Sequence, residues 1–444
     1  MPPPTQATLL SGRASPRRTG PAATDDESID ALLARQLEYV LERSDFYRRS
    51  ILPLRSRGSI KRRDFRHLPF TERESLSRSQ DEHPPFGDYL AADPSMIARV
   101  HRTSGSGSQP LLIALSAEDV GLAVECGGEC FQAAGVGPGD LIIHCLNYCL
   151  WSGGVTDHQA LERSGAGVIP FGVGNTTELL RAIQRLKPTG IHCTPSYLTK
   201  LEDRLAREFH LAPSALGLRL GLFGGEAGLS EPSFRRRIES AWGFRAMDAN
   251  YGMSEVLSIF GSECQARCGL HLFGQSAIHA ELKSLDDDAV VPWEPGARGE
   301  LVLTHLRRQC QPLVRYRTCD VIEIVSVDPC ECGRASPRFR VIGRADDMVV
   351  IRGVNVYLGA IAEVIHAFDG PIGPEFRLLV SRIEPITDCI IKVEARGGDA
   401  TQLLRSDVER ALQDRLTLKV PVELVPAGAL SRTNGKTRRL ERVL

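Results

Sequence analysis

No stretch of this chain approaches the ~18 consecutive apolar residues that a membrane-spanning helix needs, and its N-terminus has no hydrophobic core of the kind a secretory leader carries. A membrane role is therefore not expected, and the expected location is cytoplasmic. Neither charge is in surplus: 54 Lys and Arg stand against 55 Asp and Glu, a formal net charge of −1. Without a basic excess there is no electrostatic footprint for nucleic acid. Cysteine is not gathered into a small frame either. The 12 cysteines are scattered over 444 residues, so free thiols or metal ligands are expected in place of a disulfide scaffold. What remains is an average globular composition, 42% apolar and 25% charged, which argues against disorder and against a fibrous fold.

The length exceeds what one core usually fills, roughly 250–300 residues, so two or three domains are expected. Residues 1–27 are rich in Pro, Ala, Ser, Thr and Arg with no acid before Asp25, and read as a disordered tail more readily than as a transit peptide. From Ser28 to Arg43 the residues Ile29, Leu32, Leu33, Leu37, Val40 and Leu41 recur at helical spacing. Residues 113–135 read as a helix, Gly137-Pro138-Gly139-Asp140 as a turn, and Leu141-Ile142-Ile143 as a buried strand. A short strand near Val168, a helix over 176–186, and the strand, loop and helix of Ile191–Tyr197 follow, with Thr194 or Ser196 as the helix cap. His192 in that segment reads as packing, not catalysis. Leu218–Phe223 is a further strand, and this alternation predicts layered α/β architecture. Near the C-terminus come a helix over 355–367, two strand-like runs over 376–394, and a helix over 402–416 with Leu403, Leu404, Val408, Leu412 and Leu416 on its packed face. A strand over 419–425 and a basic loop over 432–438 complete the chain.

Several groups of residues carry chemistry on their own terms. In Thr103-Ser104-Gly105-Ser106-Gly107-Ser108-Gln109-Pro110, small residues let backbone N–H groups approach phosphate oxygens and the serines add donors. His144, Asn147, Tyr148 and Trp151 gather after a strand, at the kind of end where open α/β sheets keep ligands; Tyr148 and Trp151 could equally be core. Asp320 and Arg344 can together grip two ribose hydroxyls through charge-assisted hydrogen bonds. Cys264, His271, Cys330 and Cys332 form a donor set soft enough for tetrahedral zinc, with Cys268 a rival ligand and reduced buried cysteines beside a satisfied histidine the alternative.

The spacing of Tyr316-Arg317-Thr318-Cys319-Asp320 and Gly343-Arg344-Ala345-Asp346-Asp347 closely resembles the acyl-adenylate-forming (ANL) ligase superfamily. Within it, the chain resembles the phenylacetate-CoA ligase-like branch from about Tyr39 to the C-terminus, including Asp45–Arg49, Leu68-Pro69-Phe70-Thr71 and Pro85-Phe86-Gly87. The resemblance implies a large multi-sheet layered α/β N-terminal domain, 28–345, joined at the hinge residue Asp346 to a small mobile α+β domain, 346–444. It implies that the 104–108 loop, Gly225, Glu226, Ala227, Asn250, Tyr251, Ser254, Asp320 and Arg344 bind ATP. Tyr251 would stack on adenine, Ser254 would face the α-phosphate, and Glu255 would hold Mg²⁺. Tyr148, Trp151, Tyr197, Gly224 and Gly252 would line the acyl pocket, and Lys436 would reach the acyl carboxylate and the α-phosphate. Members of the branch also carry the Glu263-Cys264, Gly269-Leu270-His271 and Cys330-Glu331-Cys332-Gly333-Arg334 arrangement, which strengthens the structural zinc reading. The chain departs from the family at Ser108 and Gln109, where a Gly and a basic residue are usual, and at Ala249, where Asp or Asn is usual. The implied activity converts an aromatic, aryl or arylacetic, acid and MgATP to an acyl-adenylate and then to a coenzyme A thioester. Transfer to an amine or a carrier-protein thiol, and a non-catalytic nucleotide-binding module, are the alternatives. A monomer or homodimer is expected.

Overall fold

Serine side chains start the ordered chain. Ser28 and Ser44 each accept a backbone N–H in the first turn of the helices that follow, Ile29–Arg43 and Asp45–Ile51, which satisfies donors that have no partner within the helix. A computed structural model describes residues 28–54, 65–103, 110–226, 229, 232–345, 348–352, 354–368, 370–381, 386, 388–396, 402–416, 418–430 and 439–443. The first helix buries Leu32, Leu33, Leu37, Val40 and Leu41, while Ile29 stays 39% exposed. A helix over Arg73–Glu82 leads to an antiparallel pair, β1 (Ile97–Arg102) and β2 (Leu112–Ser116).

That pair corrects the helix expected over 113–135. Residues 113–116 are strand, and the helix runs from Ala117 to Ala133. Ser116 and Asp119 form a reciprocal capping box, so the helix starts where a side chain can serve its orphan donors, not where the apolar pattern begins.

The strands β3 (Leu141–His144), β4 (Gly167–Pro170), β5 (Gly190–Cys193), β6 (Leu220–Gly224) and β7 (Arg245–Asn250) form a parallel sheet in the order β4-β3-β5-β6-β7. Helices Ser152–Arg163, Thr176–Leu186, Pro195–Arg204 and Pro232–Trp242 connect these strands. Neither Thr194 nor Ser196 caps the helix Pro195–Arg204 through its side chain; instead Glu226 accepts the Ser196 backbone N–H at 3.2 Å and its hydroxyl at 2.9 Å.

A second, antiparallel sheet is built from β8 (Gly261–Glu263), β9 (Leu270–Leu272), β10 (Ile278–Lys283), β11 (Val290–Val291), β12 (Arg298–His305), β13 (Tyr316–Ser326) and β14 (Arg338–Arg344), in the order β11-β10-β12-β13-β14-β9-β8. The two sheets share one neighbourhood because Tyr251, one residue past β7, bridges to Gly261 at the start of β8.

Residues from Val349 to Val422 bury a core of their own. It holds the hairpin of β15 (Met348–Ile351) and β16 (Val354–Tyr357), then a sheet of β17 (Ile372–Val380), β18 (Cys389–Ala395), β19 (Val422–Pro426) and β20 (Leu440–Arg442), backed by the helices Leu358–Ala367 and Gln402–Leu416. The helix expected over 355–367 thus begins only at Leu358, because Asn355 to Tyr357 pair with β15. Leu403 is 72% exposed, so the packed face of the last helix is Leu404, Val408, Leu412 and Leu416 without it. Tyr357 lies against Gly343 of β14, where a Cβ would sit 3.0 Å from the ring.

Candidate active site

β13 and β14 pair with Asp320 directly opposite Arg344. The Arg344 guanidinium donates to Asp320 Oδ1 at 3.0 Å, and the Tyr251 hydroxyl donates to Asp320 Oδ2 at 2.7 Å. Tyr251 is wedged edge-on between Phe260 and Phe339, at ring distances of 5.1 and 5.4 Å. Burial and the neighbouring Asp320 carboxylate push its phenol well above the usual range, so it remains a donor at every working pH. The Asp320 side chain is 12% exposed and that of Arg344 34%. Three chain segments therefore meet on one carboxylate, with the guanidinium reaching solvent.

Glu255 follows in the same loop and is buried. Arg73 binds its carboxylate and also donates to the Thr103 hydroxyl at 2.8 Å. Thr103 in turn exchanges backbone and side-chain hydrogen bonds with Leu111, each 3.0 Å, so it ties together the two ends of the glycine and serine loop. Ser254 is hydrogen-bonded to Ser152 at 2.7 Å. Sequence reasoning missed Arg73, although the signal was adjacent: it lies two residues past Leu68-Pro69-Phe70-Thr71, read only as a lead-in.

On the other side of β7 the Tyr148 hydroxyl meets His158 Nδ1 at 2.9 Å, and Tyr197 meets the Thr176 hydroxyl at 3.3 Å. Trp151 precedes the helix Ser152–Arg163 and is 37% exposed. Gly224 and Gly252 have no room for a side chain, since a Cβ would strike the carbonyls of Asn250 and Ser258. Gly225 has φ +76°, and Glu226 is occupied at the start of the helix Pro195–Arg204, as described above. Asn250 turns away from Tyr251, toward Asp157 and His192.

The donor atoms of Cys264, His271, Cys330 and Cys332 all lie within 4.8 Å of one another. The thiols of Cys264 and Cys330 are 3.7 Å apart, and Cys332 is 3.6 Å from His271 Nε2. A tetrahedron with bonds of 2.3 Å to sulfur has edges of about 3.8 Å, so the residues fit a zinc ion. Ser336 engages His271 Nδ1 at 2.9 Å, which leaves Nε2 free to ligate. Burial and the guanidinium groups of Arg334 and Arg338 lower the His271 pKa to about 4, so the ring is neutral, as a ligand must be. Cys268 lies 3.5 Å from Cys330 but takes a hydrogen bond from Arg338 at 3.0 Å; it stands beside the four, not among them. His271 pairs with Arg338 at one end of β14, and Arg344 is at the other, roughly 20 Å away at strand spacing.

Residues 37–305 match the AMP-binding enzyme family, and residues 353–441 match the AMP-binding enzyme C-terminal domain. The chain belongs to the AMP-binding enzyme family. Within that family it falls among the AMP-forming acid-CoA ligases of the phenylacetate-CoA ligase-like branch. Phenylacetate-coenzyme A ligases from Thermus thermophilus and Escherichia coli are each 29% identical to this enzyme, over 92% and 93% of it and 94% and 95% of themselves. A crystal structure of 2-hydroxyisobutyryl-CoA ligase in the postadenylation state is 31% identical, with a TM-score of 0.84 over 98% of this enzyme and 94% of that chain. The same ligase in its thioesterification state gives 0.68 over 98% of this enzyme.

The residues Ser104, Gly105, Ser106, Gly107, Ser108, Ala227, Asp346 and Lys436 lie outside the described residues, as does the expected tail over 1–27.

Proposed function

We propose that this enzyme activates an aromatic carboxylic acid with MgATP and passes the acyl group to coenzyme A. The observation that carries the reading is the convergence of Tyr251, Asp320 and Arg344, which presents a phenol, a carboxylate and a guanidinium to a ribose from fixed directions. In the first step a carboxylate oxygen attacks the α-phosphorus, the bond to the β-phosphate bridge breaks, and pyrophosphate leaves. In the second, the thiolate sulfur attacks the acyl carbon, the acyl–oxygen bond breaks, and AMP leaves.

Glu255 would hold Mg²⁺, which prefers one or two carboxylates together with phosphates and would draw charge from the departing pyrophosphate. The 104–108 loop, Gly225 and Ala227 would border the nucleotide. Lys436 would stabilise the charge that gathers at the α-phosphate. Tyr148, Trp151, Tyr197, Gly224 and Gly252 would enclose the acyl group. The division at 345/346, with Asp346 as hinge, would let the small body turn away before the thiol enters. Cys264, His271, Cys330 and Cys332 would hold a structural zinc that ties the β8–β9 turn to the β13–β14 turn. Among the described residues no helix is long and apolar enough to cross a membrane, in keeping with action on small molecules in the cytoplasm.

ATP–pyrophosphate exchange over a panel of benzoates and arylacetates, followed by product analysis with and without coenzyme A, tests the proposal. Exchange that depends on an aromatic acid, and a thioester formed only with coenzyme A, are expected. A complete lack of exchange across the panel would remove the adenylation reading, and an amide or carrier-bound product would move the acceptor.

A further inference from the structure

A chain of buried polar groups crosses the C-terminal ends of β3, β5 and β7, and nothing in the proposed chemistry uses it. His144 and His192 are register partners on β3 and β5, with rings stacked at 4.9 Å and Nδ1 atoms 2.9 Å apart. Nε2 of His144 lies 2.9 Å from the Gly154 carbonyl oxygen, which can only accept, so Nε2 carries the hydrogen. Burial lowers the His144 pKa to about 4; the ring is neutral and its Nδ1 is an acceptor. His192 must then donate from Nδ1, which leaves its Nε2 to accept from Asn250 Nδ2 at 3.1 Å. The same amide nitrogen donates to Asp157 Oδ2 at 2.6 Å, and Ser258 donates to the other oxygen of Asp157.

The amide of Asn250 is thereby held in one orientation. A turned amide would set its oxygen against the His192 acceptor and the Asp157 carboxylate at once. Burial raises the Asp157 pKa to about 7, but protonating it does not release the amide, because the histidine pair still demands a donor. Asn250 is only 9% exposed, and its Oδ1 has no hydrogen-bond partner among the described residues, yet is not sealed from solvent. Successive strand residues face opposite ways: Tyr251 reaches Asp320 on the ribose side, and Asn250 faces the helix Ser152–Arg163. Trp151 and Tyr148 adjoin that helix, Tyr148 lies 5.4 Å from the His144 ring, and Gly224 abuts Asn250. These are the surroundings proposed for the acyl group.

We infer that Asn250 Oδ1 receives a hydrogen bond from the acid, so that the substrate is an aromatic carboxylic acid bearing a hydroxyl or amino group. This rests on the adenylation reading and names its substrate class. A site built around a buried acceptor discriminates against analogues that leave it unpaired.

The test is ATP–pyrophosphate exchange with ring-hydroxylated, ring-aminated, ring-methylated and unsubstituted benzoates and arylacetates, on the wild type, Asn250→Leu and His192→Leu, with melting curves for each. At one ring position the hydroxyl or amino acid should exceed its methyl counterpart at least tenfold in kcat/KM, and the two donors compared there identify which is used. Asn250→Leu should bring that ratio to about one or reverse it. His192→Leu, which touches no ligand, should narrow the ratio below about pH 7, where Asp157 is protonated and neither neighbour then holds the amide. Equal rates for all substituents overturn the inference and leave the adenylation reading intact. A raised KM for ATP with an unchanged ratio overturns it too, by assigning the oxygen to the nucleotide. Should either variant fail to fold, the wild-type ratio together with Asn250→Ala decides. Exchange with no acid at all removes the adenylation reading and the inference with it.

Discussion

Arg73 joins the two halves of the nucleotide site. It binds the Glu255 carboxylate with one nitrogen and the Thr103 hydroxyl with another, so the expected magnesium ligand is neutralised while the loop that would meet the phosphates is held at its base. Arg73→Ala is expected to lower exchange at saturating ATP and acid about tenfold or more, the worth of one charge-assisted hydrogen bond beside a charged ligand. Arg73→Lys keeps the cation and should recover part of the loss. Initial-rate exchange measurements check this, and an unchanged rate in Arg73→Ala would leave the residue a purely structural tie. Arg73 was hidden in the sequence because its importance comes from partners far along the chain, whereas Asp320 and Arg344 were legible because their neighbours resemble a family's motifs, although Asp320 lies inside β13 and not at a strand end. Asn250 was half legible: its place beside Tyr251 marked it, but only the contacts with Asp157 and His192 reveal which way it faces.

Among the secondary-structure units, those with a clear period were read well. The helices Thr176–Leu186 and Gln402–Leu416 fall on their expected spans. The strand at Leu112–Ser116 was absorbed into the following helix because a short apolar run looks the same in both, and only its pairing with β1 separates them. Three of the four metal-type donors lie in the β8–β9 and β13–β14 turns and the fourth, His271, on β9, where the pairing of β9 with β14 and the Ser336–His271 and Arg338–Cys268 hydrogen bonds also join the two regions. Purified enzyme is accordingly expected to contain one zinc per chain by elemental analysis, and a chelator should lower the melting temperature. Cys330→Ser should lower both metal content and melting temperature, whereas Cys268→Ser should spare the metal. Zinc-free enzyme with an unchanged melting curve would contradict the assignment.

For the molecule as a whole, buried histidines set the response to acid. His101 and His144 are lowered to about 4 and His305 to about 3, and His192 lies well below the usual range, in each case chiefly by burial. In the unfolded chain each titrates near 6.5, so between about pH 6.5 and 4 the unfolded state binds more protons and stability falls as the pH falls. Asp157 and Asp248, both raised to about 7 by burial, and Glu129 and Glu281, raised as well, work in the opposite sense, but with His271, lowered likewise, the histidines number five against four. Urea midpoints should therefore drop from pH 7 to pH 5. His305 accepts from Leu313 N–H and donates to the Val256 carbonyl as a neutral ring, so His305→Gln, which can do both, should flatten the slope by up to about 1.4 kcal/mol per pH unit. A midpoint that is constant over this interval would refute the account. The two-body arrangement was legible in outline from the motifs flanking residue 346, but the face the small body presents was not, since that depends on which side chains meet across it. Gly343 has a consequence there. The strand that would grip the sugar offers bare backbone to the Tyr357 ring, a smooth bearing, so the turn proposed for the smaller body would meet no side chain at position 343 while the nucleotide stays docked.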